Sequence, residues 1–344
     1  MRGRWGLVGL VALACTGERG AVLGPSPTSG RDTDRPPRGD GPPGHGEIPD
    51  LPEADEPRAP VAGPCEWFTE PVEVPGLGRV VCISPGEFTM GCEPGRDDVV
   101  YSCLGREGPP HTVRLTHAFW MMEAEVTREQ YVAKVGSDPS EIPCVDDCPV
   151  SHVNWDEANI FAGLVNDALG VDSCAPELSP YAFECTGWRL PTEQEWEHAA
   201  RAGGPWAFGW GFRAQDVGWF DSNAVSPRPG CTHFRNPFGL CDMSGNVEEW
   251  VLTARTDYAR GLYIDPFVEP IVGDNRRIRR GGSYADAGSA LRLSSRNIVA
   301  SVQRSRRSGF RLVRQLTQEE LDEAAAGLAA DTDSPDDEGA TGSR

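Results

Sequence analysis

The stretch of sequence that decides the fold begins with Arg280-Gly-Gly-Ser-Tyr284 and ends with Gly309-Phe-Arg-Leu-Val313. Working outward toward the N-terminus, four more short blocks precede these two, each rich in glycine, tryptophan, proline or acidic residues: Pro85-Gly-Glu-Phe-Thr-Met-Gly91, Val150-Ser-His-Val-Asn-Trp155, Gly187-Trp-Arg-Leu-Pro-Thr-Glu-Gln-Glu-Trp196 and Asn236-Pro-Phe-Gly-Leu-Cys-Asp-Met-Ser-Gly-Asn-Val-Glu-Glu-Trp250. Together the six blocks occupy the region from about Val80 to Arg314.

Composition limits the classes of protein to which the chain can belong. Its 344 residues are enough for one large domain or two ordinary ones. A hydrophobic fraction of 39% is enough for a core but somewhat lean, which suggests that part of the chain is unpacked. A net charge of -20 argues against a nucleic-acid partner, because no broad face neutralises phosphates. The acidity is typical of a soluble protein.

The first 15 residues predict an export signal. Arg2 and Arg4 give a positive start, and the apolar run from Trp5 to Ala14 is too short to span a bilayer. Ala12-Leu-Ala-Cys15 resembles a bacterial lipobox, in which the cysteine is lipidated, and it also offers small residues for simple cleavage. We expect a lipoprotein of the cell envelope that faces the periplasm or the cell surface and meets the membrane only through Cys15. A soluble secreted form is the alternative.

Two further segments lack the pattern of a folded domain. Residues 16–63 are dense in proline, glycine and charged residues with almost no apolar periodicity, so we expect a disordered tether. Residues 315–344 form an acidic tail, in which Gln318–Leu328 predicts a short helix. The folded domain is therefore expected at residues 64–314.

The chain has 11 cysteines, and setting Cys15 aside leaves ten in close sequential pairs. In an oxidising compartment such pairs are typical of disulfides, and no Cys-x-x-Cys or Cys/His spacing indicates a zinc site. Cys144 and Cys148 would also suit a labile disulfide, although we favour a structural one. Proximity along the chain predicts these pairs: Cys65 with Cys82, Cys92 with Cys103, Cys144 with Cys148, Cys174 with Cys185, and Cys231 with Cys241.

Local patterns predict a mixed structure with few regular elements. Arg79–Ile83 and Glu87–Met90, joined by a Pro85-Gly86 turn, suggest a hairpin. Three helices are expected: one opened by the capping box Thr127-Arg-Glu-Gln130, one at Asp156–Val165, and one opened by the capping box Thr192-Glu-Gln-Glu195. From Gly203 onward, the glycine, proline and asparagine content predicts loops. The tryptophans of the blocks are expected in the core: Trp155, Trp188, Trp196 and Trp250.

In their order along the chain, the six blocks resemble the formylglycine-generating enzyme family, also called the sulfatase-modifying factor domain. The resemblance implies an α+β fold that is irregular, loop-rich, low in regular secondary structure and related to the C-type lectin fold. In the family's oxidase, two cysteines after the Arg-Gly-Gly-Ser block bind copper(I) and convert a substrate cysteine, within a Cys-x-Pro-x-Arg motif, into formylglycine.

This chain departs from the family's pattern at those two cysteines. Laid without gaps on the motif, Tyr284–Arg292 places Asp286 and Leu291 where the cysteines belong, and no cysteine follows Cys241. Aspartate is a hard oxygen ligand and leucine is no ligand, so we expect neither copper nor the copper-thiolate mechanism. The catalytic residues, if any, stay unassigned.

The resemblance also implies a calcium site in the block that ends at Trp250. It assigns side-chain oxygens of Asp242 and Glu249 and backbone carbonyls of Gly245 and Val247 as ligands. Carboxylates and carbonyls on one tight turn are the hard ligands that calcium prefers, and glycine lets the backbone bend toward the ion. The alternative is that Asp242 and Glu249 only cap and solvate a loop.

The region that forms the family's substrate cleft supplies our candidate binding residues: Asp286, Arg292, Arg296 and Asn297. Because arginine forks bind carboxylates well, an acidic peptide or a small anion is one possible class of ligand. The alternative is that arginines bond backbone carbonyls and serve the fold. We favour that structural role for the arginines inside the blocks: Arg189, Arg280 and Arg311.

Two functional hypotheses follow. In the first, which we favour, the domain is a monomeric non-oxidase binding or scaffold module, and its cleft holds a peptide, a glycan or an envelope component. In the second, the domain is an enzyme that modifies an exported substrate, by oxidation or otherwise, without the copper-cysteine mechanism. An enzyme requires convergent titratable groups with shifted pKa values, whereas a binding module can present aromatic rings and arginine alone.

Overall fold

A computed structural model describes residues 64–68, 70–99, 101–144, 147–174, 185–268 and 273–323. The expected export signal with Cys15, the expected tether at 16–63 and the end of the chain, 324–344, lie outside these residues. Within the described part of the chain, no helix has both the length and the apolar character needed to cross a bilayer.

The strands of the described residues are short. In chain order they are β1 (Val72–Val74), β2 (Gly78–Ile83), β3 (Gly86–Met90), β4 (His111–Leu115), β5 (Phe119–Met122), β6 (Glu248–Ala254), β7 (Leu262–Ile264), β8 (Arg276–Arg280), β9 (Asn297–Ala300), β10 (Ser308–Gly309) and β11 (Val313–Gln315). They form three sheets with the orders β1-β2-β5-β11, β10-β6-β8-β9 and β3-β4-β7. Long loops join them, so the expected loop-rich α+β fold is confirmed.

The helices begin where capping residues predict. They are α1 (Arg128–Val135), α2 (Trp155–Leu169), α3 (Glu193–Arg201) and the single turn α4 (Ala214–Val217). Thr127 and Thr192 each accept a hydrogen bond from the backbone three residues on, which confirms both capping boxes. A third capping box at Asn154 starts α2, which is longer at both ends than we expected.

The expected hairpin is wrong. Its two segments are strands, but β2 pairs with β5 while β3 pairs with β4 in another sheet. The reason is that both edges of β2 are already paired. β2 lies between β1 and β5 in its sheet, so it has no free edge for β3.

The core lies on both sides of β6, whose seven residues are all buried. Trp250 and Leu252 face a cluster that also contains residues of α2, and Val251 between them faces a second cluster that contains residues of α3. This alternation is the two-residue period of a strand, so one strand serves two hydrophobic clusters. The tryptophans of the sequence blocks are all buried, as expected: Trp155, Trp188, Trp196 and Trp250.

Five disulfides staple the domain, and all five expected pairs are confirmed. They join Cys65 to Cys82, Cys92 to Cys103, Cys144 to Cys148, Cys174 to Cys185, and Cys231 to Cys241. This many disulfides is compatible with an exported protein.

The folded domain continues past residue 314, where we expected the tail to begin. β11 ends at Gln315, and the next residue, Leu316, is buried. Residues 318–323 are helical, within the segment for which we predicted a short helix. Glu320 of this helix accepts a hydrogen bond from Trp120 Nε1 at 3.1 Å and from Arg314, which ties the helix to the first sheet.

Candidate functional site

A cavity of about 220 Å³ opens beside the sheet that contains β6, β8 and β9. Two of the four expected cleft residues, Asp286 and Asn297, lie on its wall. The described residues that line it are Arg106, Glu248, Arg279, Gly282, Asp286, Ala290, Ser295 and Asn297. The lining is polar and charged, and none of these residues is a cysteine or a histidine.

Strand pairing puts three of the lining residues, Glu248, Arg279 and Asn297, on one face of the sheet. Trp250 of β6 lies opposite Arg279 of β8, and Arg279 lies opposite Asn297 of β9. Glu248 is two residues before Trp250 and therefore shares its face. The Arg279 guanidinium stacks over the Trp250 ring, 4.9 Å from its centroid, and Asn297 Nδ2 donates a hydrogen bond to Glu248 Oε1 at 2.7 Å.

The charges of Glu248 and Arg279 are only partly satisfied. Arg279 Nε lies 3.4 Å from Glu248 Oε2, but neither atom has a hydrogen-bond partner among the described residues, and Arg279 Nη1 has none either. Burial raises the pKa of Glu248, and the Asp286 carboxylate adds to the increase while Arg279 opposes it. Burial also lowers the pKa of Arg279. The cavity wall therefore contains buried polar atoms without a hydrogen-bond partner among the described residues.

The two residues at the positions of the family's cysteines have structural partners. Asp286 accepts hydrogen bonds from Ser283 Oγ and from Arg307. Leu291 ends a 3-10 helix at Gly288–Leu291 and is 0% exposed, packed in a cluster with Phe208 and Phe220. Position 291 therefore faces the interior and not the cavity.

Arg292 and Arg296 do not line the cavity. Arg292 binds both carboxylate oxygens of Glu107, at 2.8 and 3.0 Å. Arg296 binds both oxygens of Glu193, at 2.6 and 2.8 Å, and lies over Tyr258 with its guanidinium carbon 3.9 Å from the ring centroid. Both arginines are buried, so the structure gives them the structural role that was the alternative to ligand binding.

The arginines inside the sequence blocks also pair with carboxylates of the protein itself. Arg189 binds both oxygens of Glu195 at 2.7 Å, which joins the capping box of α3 to the rest of the fold. Arg280 binds Glu193 and Glu197 of α3. Although burial opposes ionisation of Glu197, Arg201 and Arg280 lower its pKa to about 2. These pairs fix α3 against the sheet.

The segment in which we expected calcium forms a tight turn before β6. Gly245 has a φ of 96°, and a Cβ atom there would lie 2.2 Å from the Trp219 carbonyl oxygen, so only glycine fits. Asp242 is buried, and its Oδ2 accepts a hydrogen bond from the Cys231 backbone N–H at 2.8 Å, whereas its Oδ1 has no partner among the described residues.

Glu249, the second residue of β6, follows this turn and has a different set of partners from Asp242. Its two oxygens bind Arg311, each at 2.7 Å, and Oε2 also accepts a hydrogen bond from Trp196 Nε1 at 2.9 Å. Arg311 in addition donates to backbone carbonyls, among them that of Cys241. Much of the binding capacity of the Glu249 carboxylate is therefore occupied.

Glu125, which sequence reasoning missed, supplies another carboxylate beside Asp242. It is 2% exposed, and Val247 N and Asn246 Nδ2 lie 3.5 Å from its oxygens. Burial raises the pKa of Glu125 well above its ordinary value, and the charge of Asp242 adds to this. Burial likewise raises the pKa of Asp242. Two buried carboxyl groups and an unpartnered oxygen are a donor set that fits a divalent cation.

One other group of potential metal ligands occurs among the described residues: Glu123, Cys231 and Cys241. The two sulfurs are joined in a disulfide, so they are not thiolates. Glu123 already pairs with Arg79 and Arg235, at 3.6 and 2.9 Å. This group is therefore structural.

Comparison with known proteins agrees with the blocks. The family model described as "sulfatase-modifying factor enzyme 1-like domain" matches residues 68–316. The chain belongs to this family. The formylglycine-generating enzyme of Streptomyces coelicolor is 32% identical over 154 residues, which is 40% of this chain and 42% of that protein. The hercynine oxygenase of Mycolicibacterium smegmatis is 27% identical over 208 residues, 56% of this chain and 42% of that protein.

The chain thus spans less than half the length of these two relatives. Among solved structures, variable protein 1 of Treponema denticola superimposes with a TM-score of 0.58 and 25% identity, over 69% of this chain and 95% of that one. The sulfatase-modifying factor fold is therefore supported by sequence and by structure.

Two cavity residues of this family member were also missed from sequence. Glu248 and Arg279 each precede a residue that the blocks had drawn attention to, Glu249 and Arg280. Because successive side chains of a strand point to opposite faces, Glu248 and Arg279 point away from the face on which Glu249 and Arg280 lie. The two-residue period of a strand was therefore the signal that could have identified both residues, since the block that ends at Trp250 has the pattern of a strand.

Proposed function

We propose that the chain is an exported, lipid-anchored sulfatase-modifying factor domain that binds a ligand in the cavity beside β8 and does not oxidise cysteine. One observation carries this proposal. Where the family's oxidase has its two cysteines, this chain has Asp286, paired with Arg307, and Leu291, buried among phenylalanines. The ten cysteines of the described residues are all joined in disulfides. The described residues therefore offer no pair of free thiols that could bind copper(I).

An enzyme with other chemistry is the second candidate, and the cavity supports it by one observation. Glu248, whose pKa is raised, lies beside Arg279, whose pKa is lowered, and close to the carboxylate of Asp286. Convergent groups of this kind are typical of acid-base sites. One relative is named hercynine oxygenase, so other oxidative chemistry occurs in the family. Binding remains our preference, because the described lining offers neither a thiol nor an imidazole.

We further propose that calcium stabilises the fold at the turn before β6. Asp242 and Glu125 would hold the ion with the carbonyls of Gly245 and Val247, while Glu249 orients the turn through Arg311. Bound calcium would supply positive charge at a place where buried carboxylates outnumber guanidinium groups. Its role is structural, and no step of ligand binding depends on it.

A mass-spectrometric assay tests the proposed function. The purified full chain is incubated with calcium, copper(I) and a Cys-x-Pro-x-Arg peptide, and the conversion of thiol to aldehyde is followed, with an active formylglycine-generating enzyme as positive control. We expect no aldehyde from folded, calcium-loaded protein. Turnover would refute the argument from Asp286 and Leu291.

Lipid anchoring has its own test. Expression in a bacterium with radiolabelled palmitate should label the wild-type chain, and Cys15→Ser should abolish the label and release the protein into the soluble fraction. A label that survives the substitution would refute the lipobox assignment.

A further inference from the structure

The cavity contains one guanidinium group whose hydrogen-bonding capacity the protein leaves unused. Arg279 is 2% exposed, and its Nε and Nη1 atoms are buried without a hydrogen-bond partner among the described residues. The closest charged group, Glu248, approaches Nε at 3.4 Å without the geometry of a hydrogen bond. Burying donors of a cation without acceptors is unfavourable, so the arrangement requires a compensating partner.

Other buried arginines leave at most one guanidinium nitrogen without a partner among the described residues: Nε is unpartnered in Arg128, Arg277 and Arg280, whereas Arg279 leaves both Nε and Nη1. Arg292, Arg296 and Arg311 each donate two hydrogen bonds to the two oxygens of one carboxylate. The fold therefore satisfies most donors of its structural arginines internally. Arg279 lines the cavity and has two donors without a partner among the described residues.

We infer that the cavity binds a small carboxylic acid that also carries a hydroxyl or ammonium group, with Arg279 holding the carboxylate; this rests on the proposed binding function. A planar carboxylate accepts two parallel hydrogen bonds from a guanidinium fork. The amide of Asn297 donates to Glu248, which leaves its own oxygen to accept a hydrogen bond from the second group of the ligand. A cavity of about 220 Å³ suits a molecule of this size.

The charges of the cavity favour a carboxylate over a phosphate. Arg106 lines the cavity with Arg279, and Arg307 pairs with Asp286, so three arginines face two carboxyl groups. One negative charge balances this set. A phosphate dianion would bring a second charge toward Glu248 and Asp286, which repel it.

Isothermal titration calorimetry on the calcium-loaded full chain tests the inference. The probes are lactate, alanine, serine and aspartate, with their methyl esters, acetate and two dianions, malate and inorganic phosphate, as comparisons. We expect at least one of the four acids to bind and its ester not to bind. Arg279→Gln should weaken that binding at least about tenfold, since hydrogen bonds to charged groups are lost.

Arg277→Gln is the matched control. Arg277 lies on the same strand and also stacks over a tryptophan, Trp155, at 4.5 Å, but it does not line the cavity. Its substitution should leave the affinity unchanged, and thermal melts show that both variants fold.

Three results would overturn the inference: binding that Arg279→Gln does not weaken, tighter binding of phosphate than of every acid, or no binding of any acid. Binding of phosphate or of an ester would still leave the cavity as a ligand site, so the proposed function would survive. Aldehyde formation in the peptide assay would instead refute the proposed function.

Discussion

A substitution at Glu125 separates the stability that calcium contributes from the stability of the calcium-free fold. Its buried carboxyl group faces Asp242, with Arg311 as a compensating cation, and burial together with Asp242 raises its pKa well above the ordinary 4.5. We expect Glu125→Gln to stabilise the calcium-free protein and to abolish its stabilisation by calcium. A purely structural glutamate would give the opposite sign in the calcium-free form.

The magnitude follows from the pKa. Keeping a carboxyl group of ordinary pKa 4.5 protonated at pH 7 costs about 1.4 kcal/mol for each of the roughly 2.5 pH units between the two values, which is about 3.5 kcal/mol. This is the upper limit of what a raised pKa of Glu125 can cost at pH 7, and so the most that the glutamine can recover. For a domain of this size, that raises the melting temperature by up to about 10 °C. Calcium at a thousand times its Kd stabilises the wild type by about 4 kcal/mol, and the variant should lose this.

The same reasoning fixes the pH dependence of the calcium-free wild type. Because the folded-state pKa of Glu125 is raised, its contribution to stability is fully present below pH 4.5 and is lost as the pH rises through the raised pKa. The variant should lack this fall in stability between acid and neutral pH.

Circular dichroism melts in excess chelator and in millimolar calcium measure both effects. Glu123→Gln is the matched control, because Glu123 is two residues away and pairs with Arg79 and Arg235. It should keep the calcium response. If Glu125→Gln retains the calcium-induced rise, or is less stable than the wild type in chelator, the reasoning about the buried carboxylates is wrong.

Three further predictions concern the cysteine positions and the buried charges. Asp286→Cys with Leu291→Cys restores both family cysteines, yet position 291 faces the core, so we expect no aldehyde in the peptide assay and a loss of about 2 kcal/mol in urea unfolding. Glu107→Gln leaves the buried Arg292 unpaired and should cost about 3–5 kcal/mol. Burial lowers the pKa of His198, so stability should fall as the pH drops below the ordinary 6.5, and His198→Gln should flatten this fall.

Each of these three predictions has its own control or its own contradicting outcome. Aldehyde formation by the double-cysteine variant would show that position 291 reaches the cavity. Glu87→Gln breaks the exposed pair with Arg114 and should cost under about 1 kcal/mol, so an equal effect of Glu107→Gln would contradict the burial argument. An unchanged pH profile in His198→Gln would assign the acid sensitivity to other groups.

Several features of the protein followed from the sequence because they rest on local interactions. The capping boxes at Thr127 and Thr192 join residues three positions apart, and both start helices where expected. The disulfides join cysteines only 4 to 17 residues apart, so proximity along the chain was a sufficient guide. The sequence blocks were likewise enough to determine the family and, through it, the fold.

The tertiary structure alone decided the site, because its residues meet through long-range strand pairing. Arg292 and Arg296 resembled cleft residues, but glutamates 185 and 103 residues away occupy their forks. Glu248, Arg279 and Asn297 share one face of the sheet only because β6, β8 and β9 pair in a particular register. A shift of that register by one residue would turn Arg279 into the core and Arg280 toward the cavity, and no local pattern fixes it.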